Sequence, residues 1–442
     1  MLYCLIYNKL FHFYKIFVIS IIIYLQELNL PSKCKNLKEN FLLDITNKYG
    51  SPIYIYDAEI ISSQYRRLIS AFSKIKSLKI CYAAKALSNI SVLSYIRSLG
   101  ASLDTVSIQE VKLGISAGFD LDKIIYTPNG VSLEEIEEVA SMGVRINIDN
   151  LSLLEQFGSK HPNKPVCIRI NPHIMAGGNS KISVGHIDSK FGISVHQIPH
   201  ILRIVKNTKM SINGIHMHTG SDILDIDVFL NASEILFETA KNFKTLEFID
   251  FGSGFKVPYF EGDVETNIEE LGAKLTQKFK SFSKEYGREI ELAFEPGKFL
   301  VSQAGYFIAK VNVIKQTTST VFAQIDTGFN HLIRPMLYGS HHEIENISNP
   351  KGKKRFYSIV GYICETDTFA SNREITEISE GDYLLFKNCG AYCFNMSSNY
   401  NSRCRPAEVL IINNKAHLVR ERETIEDLLR SQIKIEIPDE KK

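Results

Sequence analysis

The sequence of 442 residues is too long for one ordinary hydrophobic core, so two domains are expected. Hydrophobic residues make up 44% of the chain and charged residues 23%, a balance typical of soluble globular proteins. The net charge of +2 gives no reason to expect nucleic acid or an anionic membrane as a partner.

The eight cysteines form no C-x-x-C pair, and their spacings match no zinc finger or ribbon. They are interpreted as reduced thiols of a cytoplasmic protein. Cys389, Cys393 and Cys404 are loosely clustered, but no histidine is near them in the sequence, so no metal site is predicted.

Residues 1–30 are unusually apolar, and positions 16–25 read IFVISIIIYL. This run is shorter than the ~20 residues of a spanning helix and lacks a small-residue cleavage site. A membrane anchor, an atypical signal and upstream sequence included through a wrong start site are the three interpretations. The last is favoured because nothing downstream needs a membrane, so this extension is expected to lie outside the fold.

After a predicted helix at 39–49, apolar strands alternate with longer helical patterns as far as residue 300. Strands are predicted at 52–56, 78–83, 102–106, 123–126, 145–148, 166–170, 212–217, 247–250 and 291–294, with helices at 132–142, 226–242 and 268–286 among those between them. Repeated strand–helix units imply a parallel sheet, and eight of them fit a (β/α)8 barrel. An open doubly wound sheet is the alternative, but no G-x-G-x-x-G motif opens the chain.

Beyond residue 300 the helical patterns fade and short strands follow one another. They are predicted at 306–314, 320–326, 355–362, 382–387, 407–412 and 415–420. The predicted fold class is therefore α/β, with a TIM-like (β/α)8 barrel and a second, C-terminal β-rich domain.

The run ICYAAKAL at 80–87 places Lys85 at the end of a predicted barrel strand. Catalytic side chains emerge at such strand ends. A lysine in a partly apolar setting is a candidate Schiff-base former, because desolvation favours the neutral, nucleophilic amine. A lysine that closes the strand and points into water is the alternative, and the run alone favours it.

Two further predicted strands are followed by small-residue turns. His216 and His218, two positions apart, face the same side of the first strand. They could form a metal pair, lie buried in a barrel core, or place one ring over a flat cofactor ahead of a Gly-Ser turn that binds an anion. The last is preferred because no further ligand falls at a zinc-like spacing. The turn 252–254, Gly-Ser-Gly, would let backbone N–H groups approach a phosphate.

Glu295 ends the last predicted barrel strand and is followed by a Pro-Gly turn and Lys298. This pattern suits a ligand with a cationic ring nitrogen and an anionic group nearby, whereas the alternative is a surface turn with a solvated charge pair. Arg334, beside a proline in an apolar run with Tyr338, suggests recognition of a carboxylate, although it could also cap a strand.

Cys364 lies next to Glu365, with a second carboxylate two residues further on. A thiol in this position could donate a proton. It would be a poor nucleophile, because the neighbouring carboxylates raise the pKa of the thiol.

In order, the motifs YAAKAL, HMHTGSD, IDFGSGF, EPGKFLV, IRPMLY, ICETDTFA and GAYCFNMSSNYN resemble those of the diaminopimelate decarboxylases. These belong to the alanine-racemase-like fold type of pyridoxal-phosphate enzymes, with the ornithine and arginine decarboxylases. The resemblance covers about residues 52–426. It implies a barrel at 58–300 and a β-domain made of 31–57 and 301–430, which contains the strand at 52–56.

The resemblance also implies the cofactor contacts. Lys85 would hold pyridoxal 5'-phosphate as a Schiff base, His218 would stack on the pyridine face, and Glu295 would bind the pyridine nitrogen. The negative charge of Glu295 favours the protonated ring, which is a better electron sink for the carbanion left by CO2. The remaining implied contacts to the cofactor are Ser221, Gly252, Ser253, Gly254, Pro296, Gly297, Lys298 and Tyr392.

The same resemblance implies a substrate site. The implied substrate contacts are Lys298, Arg334, Tyr338, Glu365 and Tyr392. Cys364 would return a proton to the α-carbon and Glu365 would bind the distal ammonium, both across the interface of a homodimer. meso-Diaminopimelate carries an amino-acid group at each end, so a site with both an arginine and a glutamate for its distal end favours this substrate.

The implied reaction is decarboxylation of meso-2,6-diaminopimelate to L-lysine and CO2, the last step of lysine biosynthesis. The alternatives are a decarboxylase of a polyamine precursor such as carboxynorspermidine or ornithine, a non-catalytic cofactor-binding homologue, and a membrane-attached protein. Two residues depart from the family pattern: Ser253 stands for the middle glycine of a triple, and Lys298 stands for an arginine. They put the phosphate and substrate contacts at those positions in question.

Overall fold

The computed structural model describes residues 39–174 and 185–437, so the apolar extension at 1–30 lies outside the described residues. The helices in the described part are α1 (Glu39–Tyr49), α2 (Ala58–Ala71), α3 (Ile90–Ser98), α4 (Ile108–Ser116), α5 (Leu133–Ser141), α6 (Leu151–Lys160), α7 (Ile198–Thr208), α8 (Ile226–Ala240), α9 (Ile268–Tyr286), α10 (Lys298–Val301), α11 (Arg334–Tyr338) and α12 (Ile425–Leu429). None of these helices is long and apolar enough to cross a membrane.

The first sheet closes into a barrel of eight parallel strands. Its strands are β2 (Leu78–Ala83), β3 (Ser102–Thr105), β4 (Ile124–Tyr126), β5 (Arg145–Ile148), β6 (Val166–Asn171), β8 (Ile212–His216), β9 (Phe248–Asp250) and β10 (Glu291–Phe294). Strand β10 pairs with β2 and strand β5 pairs with β6, so the sheet has no free edge. A short strand β7 (Ile193–Ser194) pairs only with β6. The predicted (β/α)8 barrel is confirmed.

Helices follow the barrel strands because polar residues end the connecting loops and cap the next helix. Ser107, Ser132 and Asn150 each accept a hydrogen bond from a backbone N–H in the first turn of α4, α5 and α6. The amphipathic helices then cover the outside of the barrel, as their alternating buried and exposed residues indicate.

The second sheet is mixed. Its strands are β1 (Ile53–Asp57), β11 (Gly305–Gln316), β12 (Val321–Ile325), β13 (Ile344–Asn346), β14 (Lys354–Val360), β15 (Thr368–Thr376), β16 (Tyr383–Phe386), β17 (Ala407–Ile412) and β18 (Lys415–Arg420). Strand β1 pairs with β11 and β17, so the strand predicted at 52–56 belongs to this sheet. The β-rich character predicted beyond residue 300 is confirmed.

Strand β15 was not predicted, although it is nine residues long. Its sequence, TFASNREIT, has a polar centre, and Asn372 there adopts a positive φ of 48°. The pairing with β14 shifts register near this point, so neither residue type nor alternation indicates a strand. Strand β13, with only three residues, was missed for want of length.

The β-rich region docks on the barrel through the segment around residue 390. Gly390 approaches the backbone at the end of α10 so closely that an added Cβ would lie 1.7 Å from the carbonyl oxygen of Val301. Beyond it, the N–H of Tyr392 donates to the carbonyl of Ala86 at 2.8 Å. The side chain of Asn395 donates to the carbonyl of Lys85 at 3.2 Å. Together these contacts place Tyr392 over the C-terminal end of the barrel.

Candidate active site

The predicted site residues gather where the barrel strands end. Lys85 lies in a 3₁₀ turn, Ala84–Ala86, directly after β2. His216 and Asp250 are the last residues of β8 and β9, and Glu295 follows β10. Because parallel strands share their direction, these side chains meet at one end of the barrel.

Lys85 is ion-paired at the C-terminal end of the barrel, where its side chain is 40% exposed. Its Nζ lies 3.0 Å from Oδ2 of Asp104, a residue of β3 that is only 1% exposed. Burial lowers the pKa of Lys85, but the charge of Asp104, with smaller contributions from Tyr392 and Glu295, raises it above its ordinary value. The expectation of a neutral amine is therefore wrong for the protein alone, where Lys85 is held as an ammonium.

Glu295 is buried and takes part in a second polar pair. Its Oε2 lies 2.9 Å from Nε2 of His216, which is fully buried. Burial raises the pKa of Glu295, while the charges of Lys85 and Arg169 oppose this shift. The other oxygen of Glu295, Oε1, is buried and has no hydrogen-bond partner among the described residues. The alternative of a solvated surface turn at this position is wrong.

The two histidines have different surroundings, so they do not form a pair. His218 is partly buried, and its Nδ1 accepts a hydrogen bond from the N–H of Ser253 at 3.4 Å. Burial and the charge of Arg169 lower the pKa of both histidines well below the ordinary value, so both rings are neutral.

The Gly-Ser-Gly turn after β9 is tightly fixed. Gly252 has a φ of +59° and Gly254 one of +107°, and a Cβ on Gly254 would lie 2.1 Å from the carbonyl oxygen of Gly220. Ser253 is not among the positive-φ residues, so the side chain causes no backbone strain. Its hydroxyl donates to the carbonyl of Glu295 at 2.9 Å. The turn therefore accommodates this departure from the family pattern.

Lys298, the second departure, is buried at the start of α10. Its Nζ lies 2.5 Å from Oδ1 of Asp222, and burial lowers the pKa of the ammonium despite that charge. Asp222 follows Ser221 directly and has a positive φ of 59°. The charge of Lys298 is thus already balanced within the chain.

A narrow cavity joins most of the predicted cofactor contacts. Its lining includes Lys85, His218, Ser221, Ser253, Gly254, Glu295, Gly297, Lys298 and Tyr392. Gly252 and Pro296 lie in the same two turns without lining it, and the carbonyl of Pro296 accepts from the N–H of Ala83 at 3.2 Å. The predicted cofactor residues are therefore brought together.

A second cavity of about 410 Å³ adjoins the first and shares Ser221, Lys298 and Tyr392 with it. Arg334 and Tyr338, both from α11, line this cavity, as predicted for substrate contacts. Tyr259 also lines it, and its hydroxyl accepts from Nη2 of Arg334 at 3.3 Å. Arg334 begins a helix, so the alternative of a strand-capping arginine is wrong.

Cys364 and Glu365 line neither cavity. Both are exposed. Nδ2 of Asn401 donates to the Cys364 thiol at 3.3 Å, and Tyr400 hydrogen-bonds to Glu365. Asn401 adopts a positive φ of 56°, and strain of this kind is common at functional sites.

The cysteine cluster does have a histidine beside it, contrary to the sequence analysis. Nδ1 of His342 lies 3.4 Å from Sγ of Cys389, and Cys393 is close to both. The same nitrogen lies 2.8 Å from the carbonyl oxygen of Lys387, to which it can only donate. That nitrogen is therefore protonated and is not available as a metal ligand.

Sequence reasoning missed Asp104, Arg169, Asp222, Asp250 and Tyr259, and it left His216 without a role. Asp104 and Arg169 are charged residues inside otherwise apolar predicted barrel strands, and this was the signal that could have identified them. Tyr259 gave no signal, because it lies in a loop between predicted elements.

Pyridoxal phosphate fits the residues that the first cavity presents. The buried, unpartnered Oε1 of Glu295 can accept a hydrogen bond from a protonated ring nitrogen. A Cβ on Gly252 would lie 2.7 Å from the carbonyl oxygen of Met217 and one on Gly254 would lie 2.1 Å from that of Gly220, so only glycine fits this tight turn. Backbone N–H groups of such a turn can bind a phosphate. Lys85 supplies an amine at the same end of the barrel.

Comparison with known proteins agrees with this geometry. The sequence profile of the pyridoxal-dependent decarboxylases, pyridoxal binding domain, matches residues 59–302. The diaminopimelate decarboxylase of Methanothermobacter thermautotrophicus is 39% identical over 400 residues, which cover 88% of this chain and 93% of that protein. The Escherichia coli diaminopimelate decarboxylase is 32% identical over 410 residues, which cover 89% and 96%.

Solved structures extend this agreement to the fold. The crystal structure of Helicobacter pylori diaminopimelate decarboxylase complexed with L-lysine matches with a TM-score of 0.81 at 30% identity. The match covers 88% of this chain and 98% of that one. The chain therefore belongs to the pyridoxal-dependent decarboxylase family, among the diaminopimelate decarboxylases.

Proposed function

We propose that this protein decarboxylates meso-2,6-diaminopimelate to L-lysine and CO2, the last step of lysine biosynthesis, with pyridoxal 5'-phosphate as its cofactor. The observation that carries the proposal is that Arg334, in the second cavity, hydrogen-bonds to neutral hydroxyls and to no carboxylate among the described residues. Two other cations line that cavity, and each has a carboxylate of its own: Lys256 lies 2.7 Å from Asp263 and Lys298 lies 2.5 Å from Asp222.

Arg334 differs from these two lysines. It is 8% exposed, and its hydrogen bonds within the described residues go to the neutral hydroxyls of Tyr259 and Ser340, both at 3.3 Å. A buried guanidinium without a carboxylate partner is suited to a carboxylate brought by a ligand. The distal end of diaminopimelate carries such a carboxylate, whereas the terminal amine of ornithine does not.

Pyridoxal phosphate, when bound, draws electrons from the α-carbon and stabilises the carbanion that remains after CO2 leaves. Lys85 would hold the cofactor through Nζ and yield its place to the substrate amine. Glu295 would hold the proton of the ring nitrogen at Oε1, and His218 would cover one ring face. Ser221 and the Gly-Ser-Gly turn would bind the phosphate with Tyr392, and Arg334 and Tyr338 would hold the distal carboxylate.

The final proton would come from a second copy of the chain. Cys364 and Glu365 are exposed and line neither cavity of their own chain, which supports a homodimer with shared sites. Sγ of Cys364 would deliver a proton to the α-carbon, and Glu365 would bind the distal ammonium. The free cysteines of the described residues suit a reducing compartment, and we place the protein in the cytoplasm.

We also propose the domain boundaries of 58–300 for the barrel and 31–57 with 301–430 for the β-domain. The family profile at 59–302 supports the first range. The pairing of β1 with β11 and β17 supports joining the N-terminal segment to the second domain.

The proposal is tested by comparing the turnover of meso-diaminopimelate, carboxynorspermidine and ornithine by the protein loaded with cofactor. We expect lysine and CO2 from the first substrate and little product from the others. Arg334→Ala should lower kcat/KM for diaminopimelate roughly 10- to 100-fold, since a hydrogen bond to a charged group is lost. Arg355→Ala, at an exposed arginine paired with Glu377, is the control. No lysine from diaminopimelate would contradict the proposal.

A further inference from the structure

His216 is a fully buried residue whose partner is the predicted ring-nitrogen ligand, Glu295. It ends β8, Asp250 ends β9 beside it in register, and Glu295 follows β10. Ligand atoms of these three side chains lie within 4.8 Å of one another. Three neighbouring strands thus bring one imidazole and two carboxyl groups into a single buried cluster.

The hydrogen-bond pattern fixes the position of the one proton on the imidazole ring. Burial and the charges of Arg169 and Lys85 keep His216 neutral, so only one of its nitrogens carries hydrogen. Nε2 faces Oε2 of Glu295 at 2.9 Å, while Nδ1 is buried and has no hydrogen-bond partner among the described residues. A proton on Nδ1 would leave a buried donor unpaired, which is costly, so Nε2 carries it and donates to Oε2.

Asp250 is the second carboxyl group of the cluster, and burial disfavours a second negative charge there. Its Oδ1 accepts from the N–H of Gly252 at 2.8 Å, and its Oδ2 has no partner among the described residues. Burial and the charge of Glu295 raise the pKa of Asp250 well above the ordinary value. Asp250 therefore takes up a proton more readily than an ordinary aspartate, whereas the charges of Lys85 and Arg169 favour the charged form of Glu295.

We propose that His216 is a positioning residue, which donates from Nε2 to Oε2 of Glu295 and so presents Oε1 to the ring nitrogen of the cofactor. The inference rests on the proposed function, because it assumes that Glu295 meets the ring. His216 itself touches neither cofactor nor substrate in this arrangement. Without its hydrogen bond, the Glu295 carboxylate would be free to rotate and would more easily take up a proton.

Three substitutions separate this role from simple packing. His216→Gln can place an amide N–H near the position of Nε2, whereas His216→Asn reaches only the position of Nδ1, and His216→Phe keeps a ring without a donor. Met217→Leu is the matched control, because Met217 is the next residue and is fully buried. The substitution changes the side-chain volume little. The thermal unfolding of each variant without cofactor reports whether it has folded.

The measurements are the dissociation constant for pyridoxal phosphate and the pH dependence of the visible absorption of the bound cofactor. His216→Phe and His216→Asn should weaken cofactor binding about tenfold or more, because a hydrogen bond to a charged group is lost. They should also move the pH at which the ring nitrogen loses its proton downward by about one unit or more. His216→Gln and Met217→Leu should remain close to wild type in both measurements.

Two results would overturn the inference while leaving the proposed function intact. One is wild-type affinity and absorption in folded His216→Phe, with diaminopimelate still decarboxylated by the parent protein. The other is equal loss in His216→Gln and His216→Asn, which would mean that only the imidazole ring itself fits. If His216→Phe does not fold, the comparison of the Gln and Asn variants still decides.

Discussion

The predicted site residues fall into two clusters, which differ in whether one chain surrounds them with its own residues. Every member of the barrel cluster (Lys85, Asp104, His216, Asp250, Glu295) except the partly exposed Lys85 is buried, and the polar contacts of the cluster form within a single chain. The surface cluster (Cys364, Glu365, Tyr400, Asn401) is exposed, and its hydrogen bonds hold the thiol and carboxylate outward.

In the proposed mechanism, cofactor binding and proton return therefore fall to different parts of the molecule. The polar contacts of the barrel cluster form within one chain, and the adjoining cavity is lined by residues of that chain. The surface cluster holds a thiol and a carboxylate in a defined geometry and lines neither of the two cavities. The predictions below therefore change one cluster and measure whether the other still functions.

The largest effect is expected for Lys85→Ala. Without Nζ the chain cannot form a Schiff base with the cofactor, so the visible absorption band of that Schiff base and turnover should disappear. Lys79→Ala is the control, because Lys79 lies on the same strand and is also ion-paired, with Glu291 at 3.0 Å. An absorption band that persists in Lys85→Ala would refute the assignment of the barrel cluster.

Cys364→Ala should reduce kcat by about 10²- to 10⁴-fold, the usual range for loss of a proton donor, with cofactor affinity unchanged. Cys404→Ala, at a partly buried cysteine outside both cavities, is the control. Equal losses of kcat and cofactor affinity would indicate a structural role for Cys364.

Mixing the two inactive variants tests whether the clusters act across chains. In a homodimer with shared sites, unfolding and refolding Lys85→Ala with Cys364→Ala should restore about a quarter of the sites, since each mixed dimer has one intact site. If Lys85 and Cys364 act within one chain, the mixture should stay inactive.

The free energy of unfolding should also depend on pH, through the buried His342. Burial lowers the pKa of His342 to about 3, below its ordinary value of 6.5. Because the unfolded chain binds a proton here more readily than the folded chain, the neutral His342 contributes to the free energy of unfolding. This contribution is complete above pH 6.5 and is lost as the pH falls toward 3. Between pH 7 and pH 4 the loss should be on the order of 3 kcal/mol in free energy of unfolding.

His342→Asn tests this contribution, because asparagine can keep a donor near Nδ1 without an ionisable ring. Denaturant unfolding at pH 7 and pH 4 should show a smaller decrease for the variant than for wild type. His417→Asn is the control, since His417 lies on strand β18 with an exposed side chain. Equal decreases in His342→Asn and wild type would contradict the prediction.

The smallest effect is expected for Ser253→Gly. It would restore the triple glycine of the family but remove the hydroxyl that donates to the carbonyl of Glu295. A neutral hydrogen bond is worth about 1 kcal/mol, so cofactor affinity should fall by less than about tenfold. An isothermal titration with pyridoxal phosphate measures this, and a larger loss would mean that Ser253 binds the phosphate directly.

Much of the fold could be predicted because the barrel strands are short, apolar and separated by amphipathic helices. The ends of β2 and β10 were located to the residue, which placed Lys85 and Glu295 together without any knowledge of contacts. Parallel strands that close into a barrel bring their C-terminal ends to one face, so strand order alone is enough for this inference.

The electrostatic state of the site could not be predicted in the same way. Lys85 is an ammonium because Asp104 lies beside it, and that proximity follows from the register in which Ala83 pairs with Asp104. The burial of Glu295, its bond to His216 and the balance of Lys298 by Asp222 likewise depend on side-chain packing. The roles assigned to Cys364 and Glu365 stay predictions, since a single chain does not contain the contacts that would test them.

The bond from Asn395 to the carbonyl of Lys85 spans 310 residues of sequence. During synthesis, at about 5–20 residues per second, roughly 15 to 60 s separate the appearance of these two residues at the ribosome. The barrel strands emerge first, so a nascent chain can close the barrel while Tyr392 is still to be made. Because Tyr392 lines the first cavity, that cavity is complete only after the C-terminal third of the chain has been made.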